Sequence, residues 1–125
     1  MDADPKLYWG AVLETPDARQ LAEFYAGLLG WRIADSEPDW ATLAPPDGVA
    51  YLGFQTSPEY QPPTWPAVEG KQQMMLHLDF EVRDLQAGVE HALQLGATLA
   101  EFQPQEKVRV LLDPVGHPFC LYVDS

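Results

Sequence analysis

The sequence lacks the features that mark secreted, membrane-spanning and nucleic-acid-binding proteins. Cys120 is its only cysteine, so no disulfide can form within one chain, and a reducing cytoplasm is the expected location. No apolar run reaches the roughly 18 residues that a membrane span needs, and the first residues do not resemble a signal peptide. Only 7 basic residues stand against 19 acidic ones. The resulting net charge of −12 repels nucleic-acid phosphates, so neither nucleic acid nor membrane is an expected partner.

Common catalytic motifs are missing as well. The chain has no glycine-rich phosphate loop, no CxxC pair and no Ser-His-Asp order. It has 125 residues, of which 46% are hydrophobic and 21% charged, a composition typical of a globular domain. This length predicts a single domain over residues 1–125.

Residues 77–84 organise the second half of the chain. Their side chains alternate strictly between polar and apolar, the period of a half-buried strand. Asp84 then suits the N-cap of a helix, and Gly96 suits its end. The pattern predicts a helix near 84–95. It also predicts three further strands near 97–102, 107–112 and 118–123.

The first half repeats this unit. Thr15, Pro16 and Asp17 form a helix entry, which predicts a helix near 16–29. Strands are predicted near 7–14, 31–35, 39–44 and 49–56. Aligning Asp17 with Asp84 brings Gly10 onto His77, and the following turns bring Leu52 onto Cys120. The sequence therefore predicts an α+β fold of two βαβββ modules, residues 7–56 and 75–124.

Residues 57–74 join the predicted modules and are rich in proline. Proline at this density favours a stiff, extended connection. Two interpretations stay open: an ordered linker without a ligand role, or a lid that places Trp65 over a pocket.

Strand parity predicts which side chains line the sheet face that the helices leave open. His77, Asp79 and Glu81 share that face, and Arg109 alternates out of an apolar set towards it. The remaining expected members are Tyr8, Leu52, Phe54, Cys120 and Tyr122. An apolar and aromatic pocket with a few acids and one imidazole is typical of a small-molecule site.

The chain resembles the vicinal-oxygen-chelate superfamily, which includes glyoxalase I, extradiol dioxygenases and bleomycin-resistance proteins. The resemblance rests on four stretches in their order and spacing. They are Thr15-Pro16-Asp17 with Phe24-Tyr25 and Leu29-Gly30-Trp31, residues 77–84, Leu95-Gly96-Ala97, and residues 113–120. It is closest to small bacterial glyoxalase-like proteins. The resemblance implies two βαβββ modules in a cupped mixed sheet, and a homodimer.

Metal-binding members of this superfamily carry ligands on the first and last strands of each module. The matching positions here are Gly10, Leu52, His77 and Cys120. His77 is the only usual ligand among them, and Cys120 stands where a carboxylate is expected. No metal or other cofactor is therefore expected. A divalent metal with Asp79 or Glu81 as third ligand stays as the alternative.

Two functions follow from these expectations. The first is a metal-independent binding protein for an aromatic or cationic small molecule, as in drug sequestration. The second is a lyase or isomerase, with or without a metal, that uses His77 with Asp79 or Glu81 for proton transfer. A purely structural partner module is the third and simplest interpretation.

Overall fold

The computed structural model describes residues 7–124, so residues 1–6 and 125 of the predicted domain lie outside the described residues. The chain divides into two compact units. The first module ends at Tyr60 and the second module begins at Gln61. Each contains one helix and four strands in the order βαβββ, which confirms the repeat predicted from the sequence. No helix in the described residues is long and apolar enough to cross a membrane.

The first module is a four-stranded mixed sheet with one helix. Its elements are β1 (Trp9–Thr15), α1 (Ala18–Leu29), β2 (Arg32–Glu37), β3 (Trp40–Ala44) and β4 (Ala50–Thr56). The strand order is β1-β4-β3-β2, in which β1 runs parallel to β4 and the other neighbours are antiparallel. Helix α1 carries the chain from β1 at one edge of the sheet to β2 at the other edge, and the antiparallel run β2-β3-β4 then returns it beside β1, so β4 lies parallel to β1.

The second module repeats this arrangement with shorter elements. They are β5 (Leu78–Glu81), α2 (Leu85–Gln94), β6 (Thr98–Leu99), β7 (Val108–Leu112) and β8 (Pro118–Tyr122). The strand order is β5-β8-β7-β6, and β5 runs parallel to β8. The first strand of each module is thus an edge strand next to the last strand.

Both helices begin at an aspartate, as the sequence predicts. The Asp17 carboxylate accepts a hydrogen bond from the backbone N–H of Gln20 at 3.2 Å. The Asp84 carboxylate accepts one from the N–H of Ala87 at 3.0 Å. Each bond satisfies an amide that has no partner within the helix.

The two helices pack against their sheets to different extents. Helix α1 buries five side chains, and its Tyr25 ring stacks on Phe54 of β4 with centroids 5.7 Å apart. Helix α2 fully buries only Ala92. At Gly88 a Cβ would lie 3.3 Å from Val82 and 3.4 Å from Leu121, so α2 approaches its sheet through a glycine. The apolar core is therefore deeper in the first module.

The proline-rich segment is divided between the two modules. The boundary falls between Tyr60 and Gln61, so most of the predicted linker belongs to the second module. Thr64 forms an isolated β-bridge with Gln73, and the Thr64 N–H donates to the carbonyl of Gln72 at 2.9 Å. Residues 61–74 are therefore a loop that closes on itself.

Candidate functional site

The sheet face opposite α2 carries the polar residues that the sequence singled out. In the register of the second module, Asp79 pairs with Cys120, and Cys120 pairs with Val110. Paired residues point to the same face of a sheet. Glu81 pairs with Tyr122 further along this face. The parity predicted for residues 77–82 is confirmed here, because Phe80 lies on the other face, against Phe119.

His77, Asp79 and Cys120 form a compact cluster on this face. His77 immediately precedes β5 and lies two residues before Asp79, so both side chains project the same way. His77 Nε2 lies 3.2 Å from Asp79 Oδ1, within hydrogen-bonding distance. One donor atom from each of the three residues lies within 4.8 Å of the others. An imidazole held by a carboxylate is an arrangement that can hydrogen-bond a ligand or transfer a proton.

The Cys120 thiol is held in its protonated form. Burial raises its pKa to about 11, and the negative charge and a hydrogen bond of Asp79 act in the same direction. The uncharged thiol is favoured because it can donate to the carboxylate, whereas a thiolate would be repelled by it. Cys120 is therefore a weak nucleophile at neutral pH.

A pocket of about 150 Å³ adjoins this cluster within the second module. Its lining is largely apolar and comes from β7, β8 and the loops around them. The lining residues are Trp65, Met74, His77, Pro104, Gln105, Val108, Val110, Pro118 and Cys120. An indole at one wall and an imidazole at another give this pocket both a stacking surface and a hydrogen-bonding group.

The structure brings together four of the residues predicted for the site. His77, Trp65 and Cys120 line the pocket, and Asp79 lies against His77 and Cys120. Glu81 and Tyr122 share the face but lie outside the cluster and the pocket lining. Tyr8 belongs to the first module, where it precedes β1 and is 68% exposed.

Leu52 and Phe54 lie on a different face from the one expected. Leu52 is 6% exposed, and Phe54 is completely buried against Tyr25 of α1. Both therefore pack under the helix and not on the open face. The alternation expected for β4 is therefore shifted by one residue. Val12 pairs with Gly53 in the first module, as Asp79 pairs with Cys120 in the second. Gly53, not Leu52, is the first-module equivalent of Cys120.

Arg109 also lies away from the site. It pairs with Leu121, and it borders a shallow groove beside Leu85 and Val89 of α2. Its guanidinium donates to the backbone carbonyls of three nearby residues at 2.9–3.2 Å, namely Gln105, Glu106 and Val108. The expectation that Arg109 enters the pocket is corrected, because these local carbonyls hold it on the helix side.

The first module has no donor atoms at the positions that match the cluster. Gly10, Val12 and Gly53 stand where the second module has His77, Asp79 and Cys120. Aromatic rings cover both glycines. A Cβ at Gly10 would lie 2.5 Å from the Tyr51 ring, and one at Gly53 would lie 2.8 Å from the Trp40 ring. The two rings fill the space that side chains with donor atoms would otherwise occupy at these positions.

Several pocket residues escaped sequence reasoning. Val108 and Val110 alternate with Arg109, so the expectation that Arg109 enters the pocket left both valines out of the predicted lining. The turn at 113–117 carried the missing signal. Leu112 pairs with Pro118 across this turn, which fixes Cys120 opposite Val110. Met74 and Pro104 lie in loops without periodicity, and no sequence pattern marks them.

The donor atoms do not fit the metal centre that the resemblance implies. That centre takes ligands from both modules, and the first module supplies none at the matching positions. In the second module the thiol would have to lose a proton that burial and Asp79 hold in place. A thiol is also a poor ligand for hard cations such as Mg²⁺. No step is therefore assigned to a metal.

The fold defines a class of proteins built from two βαβββ modules, and here a pocket lies on the open sheet face of the second module. The sequence pattern of the glyoxalase-like domain family matches residues 10–122. The chain belongs to this family, and the predicted resemblance to the vicinal-oxygen-chelate superfamily is confirmed. No curated protein matches the sequence significantly.

Solved structures support the same fold at low sequence identity. A glyoxalase/bleomycin resistance protein/dioxygenase family enzyme from Burkholderia phytofirmans PsJN is 19% identical, with 95% of this chain and 98% of that chain covered and a TM-score of 0.68. Fosfomycin resistance protein FosX from Mesorhizobium loti is 12% identical, with 99% of this chain and 95% of that chain covered and a TM-score of 0.63. Lactoylglutathione lyase from Agrobacterium tumefaciens is 12% identical over 97% and 96%, with a TM-score of 0.61. At such identities the likeness establishes the fold alone.

Proposed function

We propose that this protein binds a small organic molecule in the pocket between Trp65 and His77, without a metal. The observation that carries this proposal is the composition of the lining, in which apolar and aromatic walls meet one imidazole. Such a pocket gains affinity from apolar burial and orientation from the few polar groups. A fosfomycin resistance protein among the structural neighbours has the same fold, and sequestration of a drug-like molecule is the form of binding that we propose.

The charges around the pocket favour a cationic or neutral ligand over an anion. Asp79 lies beside His77 at the polar end, and no lysine or arginine belongs to the described lining. The protein as a whole carries a net charge of −12. An aromatic amine can place its ring against Trp65 and its ammonium group near Asp79, where stacking and charge pairing act together.

A matched set of fragments tests this proposal: benzylamine, benzyl alcohol and benzoate, titrated by chemical-shift perturbation. We expect benzylamine to bind most tightly and benzoate least. His77→Ala should weaken binding by about 0.5–1.5 kcal/mol, because a hydrogen bond from a side chain that is 40% exposed is lost. Glu81→Gln is the control, since Glu81 shares the face but lies outside the cluster. Absence of binding by all three fragments, or equal loss in the control, would contradict the proposal.

Metal independence has its own measurement. Elemental analysis of protein purified without chelator should give well below one zinc, nickel, iron or manganese per chain, and EDTA should leave benzylamine binding unchanged. Near-stoichiometric metal that disappears in the His77→Ala variant would instead establish a metal centre in the second module.

The second candidate function is metal-free proton transfer, as in a lyase or isomerase. It is favoured by the 3.2 Å contact between His77 Nε2 and Asp79 Oδ1, which can orient the imidazole as an acid or base. A lyase among the structural neighbours agrees with this chemistry. Asp79 is the preferred partner of His77, because Glu81 lies outside the cluster.

This second candidate requires exchange of a ligand proton with solvent. For any bound compound with an acidic C–H, deuterium incorporation from D₂O should be accelerated by the protein. For a neutral compound, which gains no charge pairing from Asp79, Asp79→Asn should slow incorporation more than it changes affinity, since the orienting carboxylate is lost while the imidazole remains. Incorporation at the rate of the protein-free solution would leave ligand binding as the function.

A further inference from the structure

One wall of the pocket is built differently from the rest. Val108, Val110 and Cys120 lie on β7 and β8, where successive backbone pairs fix their positions. Trp65 and Met74 belong instead to the loop of residues 61–74. Within this loop the Lys71 N–H donates to the Val68 carbonyl at 3.1 Å, in addition to the bonds between Thr64 and Gln72. These backbone bonds join residues of the loop to one another.

The loop is attached to the module through Trp65. The indole Nε1–H donates to the backbone carbonyl of Phe102 at 3.2 Å. The two aromatic rings are tilted by 38°, with centroids 5.9 Å apart. Phe102 is 50% exposed, so water can replace both contacts when they open. An exposed contact of this kind opens more readily than a strand that is paired along its length.

We propose that the loop of residues 61–74 is a movable wall of the pocket and that the contact between Trp65 and Phe102 is its latch. With the latch closed, the pocket of about 150 Å³ accepts a ligand about the size of one aromatic ring. With the latch open, Trp65 withdraws and larger molecules reach His77 and Cys120. Trp65 therefore sets the size of ligand that the site admits. This inference rests on the proposed function, because it takes the same pocket as the binding site.

Cys120 supplies a built-in reporter of this opening. It is the only cysteine of the chain, and it lines the pocket. A small thiol reagent such as iodoacetamide and a bulky one such as fluorescein maleimide both attack the thiolate. Both rates are proportional to the fraction of thiolate, so this fraction cancels when the two rates are compared at one alkaline pH. The ratio of the rates therefore reports how easily the bulky reagent reaches the Cys120 thiol.

Phe102→Ala is the decisive variant, because Phe102 forms the latch without lining the pocket. We expect the bulky reagent to react at least fivefold faster than in the unmodified protein, while the rate of the small reagent changes less than twofold. Trp65→Ala should raise the bulky rate at least as much. Phe102→Leu serves in place of Phe102→Ala if circular dichroism shows that the latter is unfolded.

Trp9→Ala is the matched control, since it removes an indole that is 60% exposed, lies in the first module and does not belong to the described pocket lining. It should leave the ratio unchanged. An unchanged ratio in both latch variants, or an equal rise in the control, would overturn the movable wall. The measurement needs no ligand, so a failed fragment titration would count against the proposed function and not against this inference. Conversely, benzylamine binding with an unchanged ratio would refute the latch alone.

Discussion

The two modules share one backbone plan but use their open faces in opposite ways. In the second module the face carries an imidazole, a carboxylate and a thiol within 4.8 Å of one another. In the first module the matching positions are Gly10, Val12 and Gly53, and the rings of Tyr51 and Trp40 lie over the two glycines. The difference shows that a repeat predicts where functional side chains belong, whereas only the individual residues decide whether chemistry is available there.

The modules differ equally on their helix sides. Helix α1 buries five side chains, whereas α2 fully buries one and meets its sheet at Gly88. The module without donor atoms at the matching positions has the deeper core, and the module that carries the candidate site has the shallower one. The more extensive core and the candidate site thus lie in different halves of the chain.

The largest expected effect comes from removing one aromatic ring from each core. Phe54→Ala should lower the free energy of unfolding by about 3–5 kcal/mol, because Phe54 is completely buried and its ring stacks on Tyr25. Phe80→Ala should cost less, since Phe80 is only partly buried. Urea denaturation of both variants measures the two losses. An equal or larger loss for Phe80→Ala would remove the difference between the cores.

An intermediate effect is expected when the donor of one module is placed in the other. Gly10→His should destabilise the first module by about 1–3 kcal/mol, since a side chain there overlaps the Tyr51 ring. Tyr51→Ala should relieve this cost, so the double variant should be more stable than the sum of the single losses predicts. Additive losses in a double-mutant cycle would show that the ring does not occupy the donor position.

The third prediction concerns the thiol that only the second module possesses. The pKa of Cys120 is raised to about 11, so its thiolate is scarce at neutral pH. The rate of alkylation by iodoacetamide should rise about tenfold per pH unit and level off only near that value. Asp79→Asn should shift the profile to lower pH, because the carboxylate charge and hydrogen bond are removed.

The sign of the effect on stability follows from the same pKa. In the unfolded chain the Cys120 thiol has its ordinary pKa of 9.0, whereas in the folded protein its pKa is about 11. The favourable contribution of the protonated Cys120 thiol to the free energy of unfolding is therefore complete below pH 9 and is lost as the pH rises through 11. A profile centred near the ordinary thiol value in the unmodified protein would show that neither burial nor Asp79 acts on Cys120.

Much of the fold could be predicted because local signals agreed with one another. Asp17 and Asp84 cap the helices as expected, and the alternation of residues 77–82 is present in the structure. The predicted strand at 97–102 is shorter, since backbone bonding to β7 ends with the Ala100 N–H and the Gln103 side chain makes the next contacts. Its amide donates to the Ala100 and Val110 carbonyls, and its oxygen accepts from the Val110 N–H. No periodic pattern reveals a side chain acting as a strand.

The site was most directly predictable where one strand carried it. His77 and Asp79 are neighbours by parity alone, so the sequence sufficed. The sheet faces on which Leu52 and Arg109 lie depend on the register between strands. An alignment that is displaced by one residue assigns each side chain to the wrong face of the sheet. Trp65 reaches the pocket through a loop contact with Phe102, which depends on packing and has no signature in the sequence.

Gly88 in α2 affects where the protein is expected to unfold locally. A glycine within a helix disfavours the helical state, and α2 has little buried surface to offset this. Local unfolding begins where such surface is smallest, so the amide hydrogens of α2 should exchange with solvent before those of α1. The candidate site lies on the opposite face of the same sheet. We therefore expect the half of the protein that carries the candidate site also to sample partly unfolded states more often than the other half.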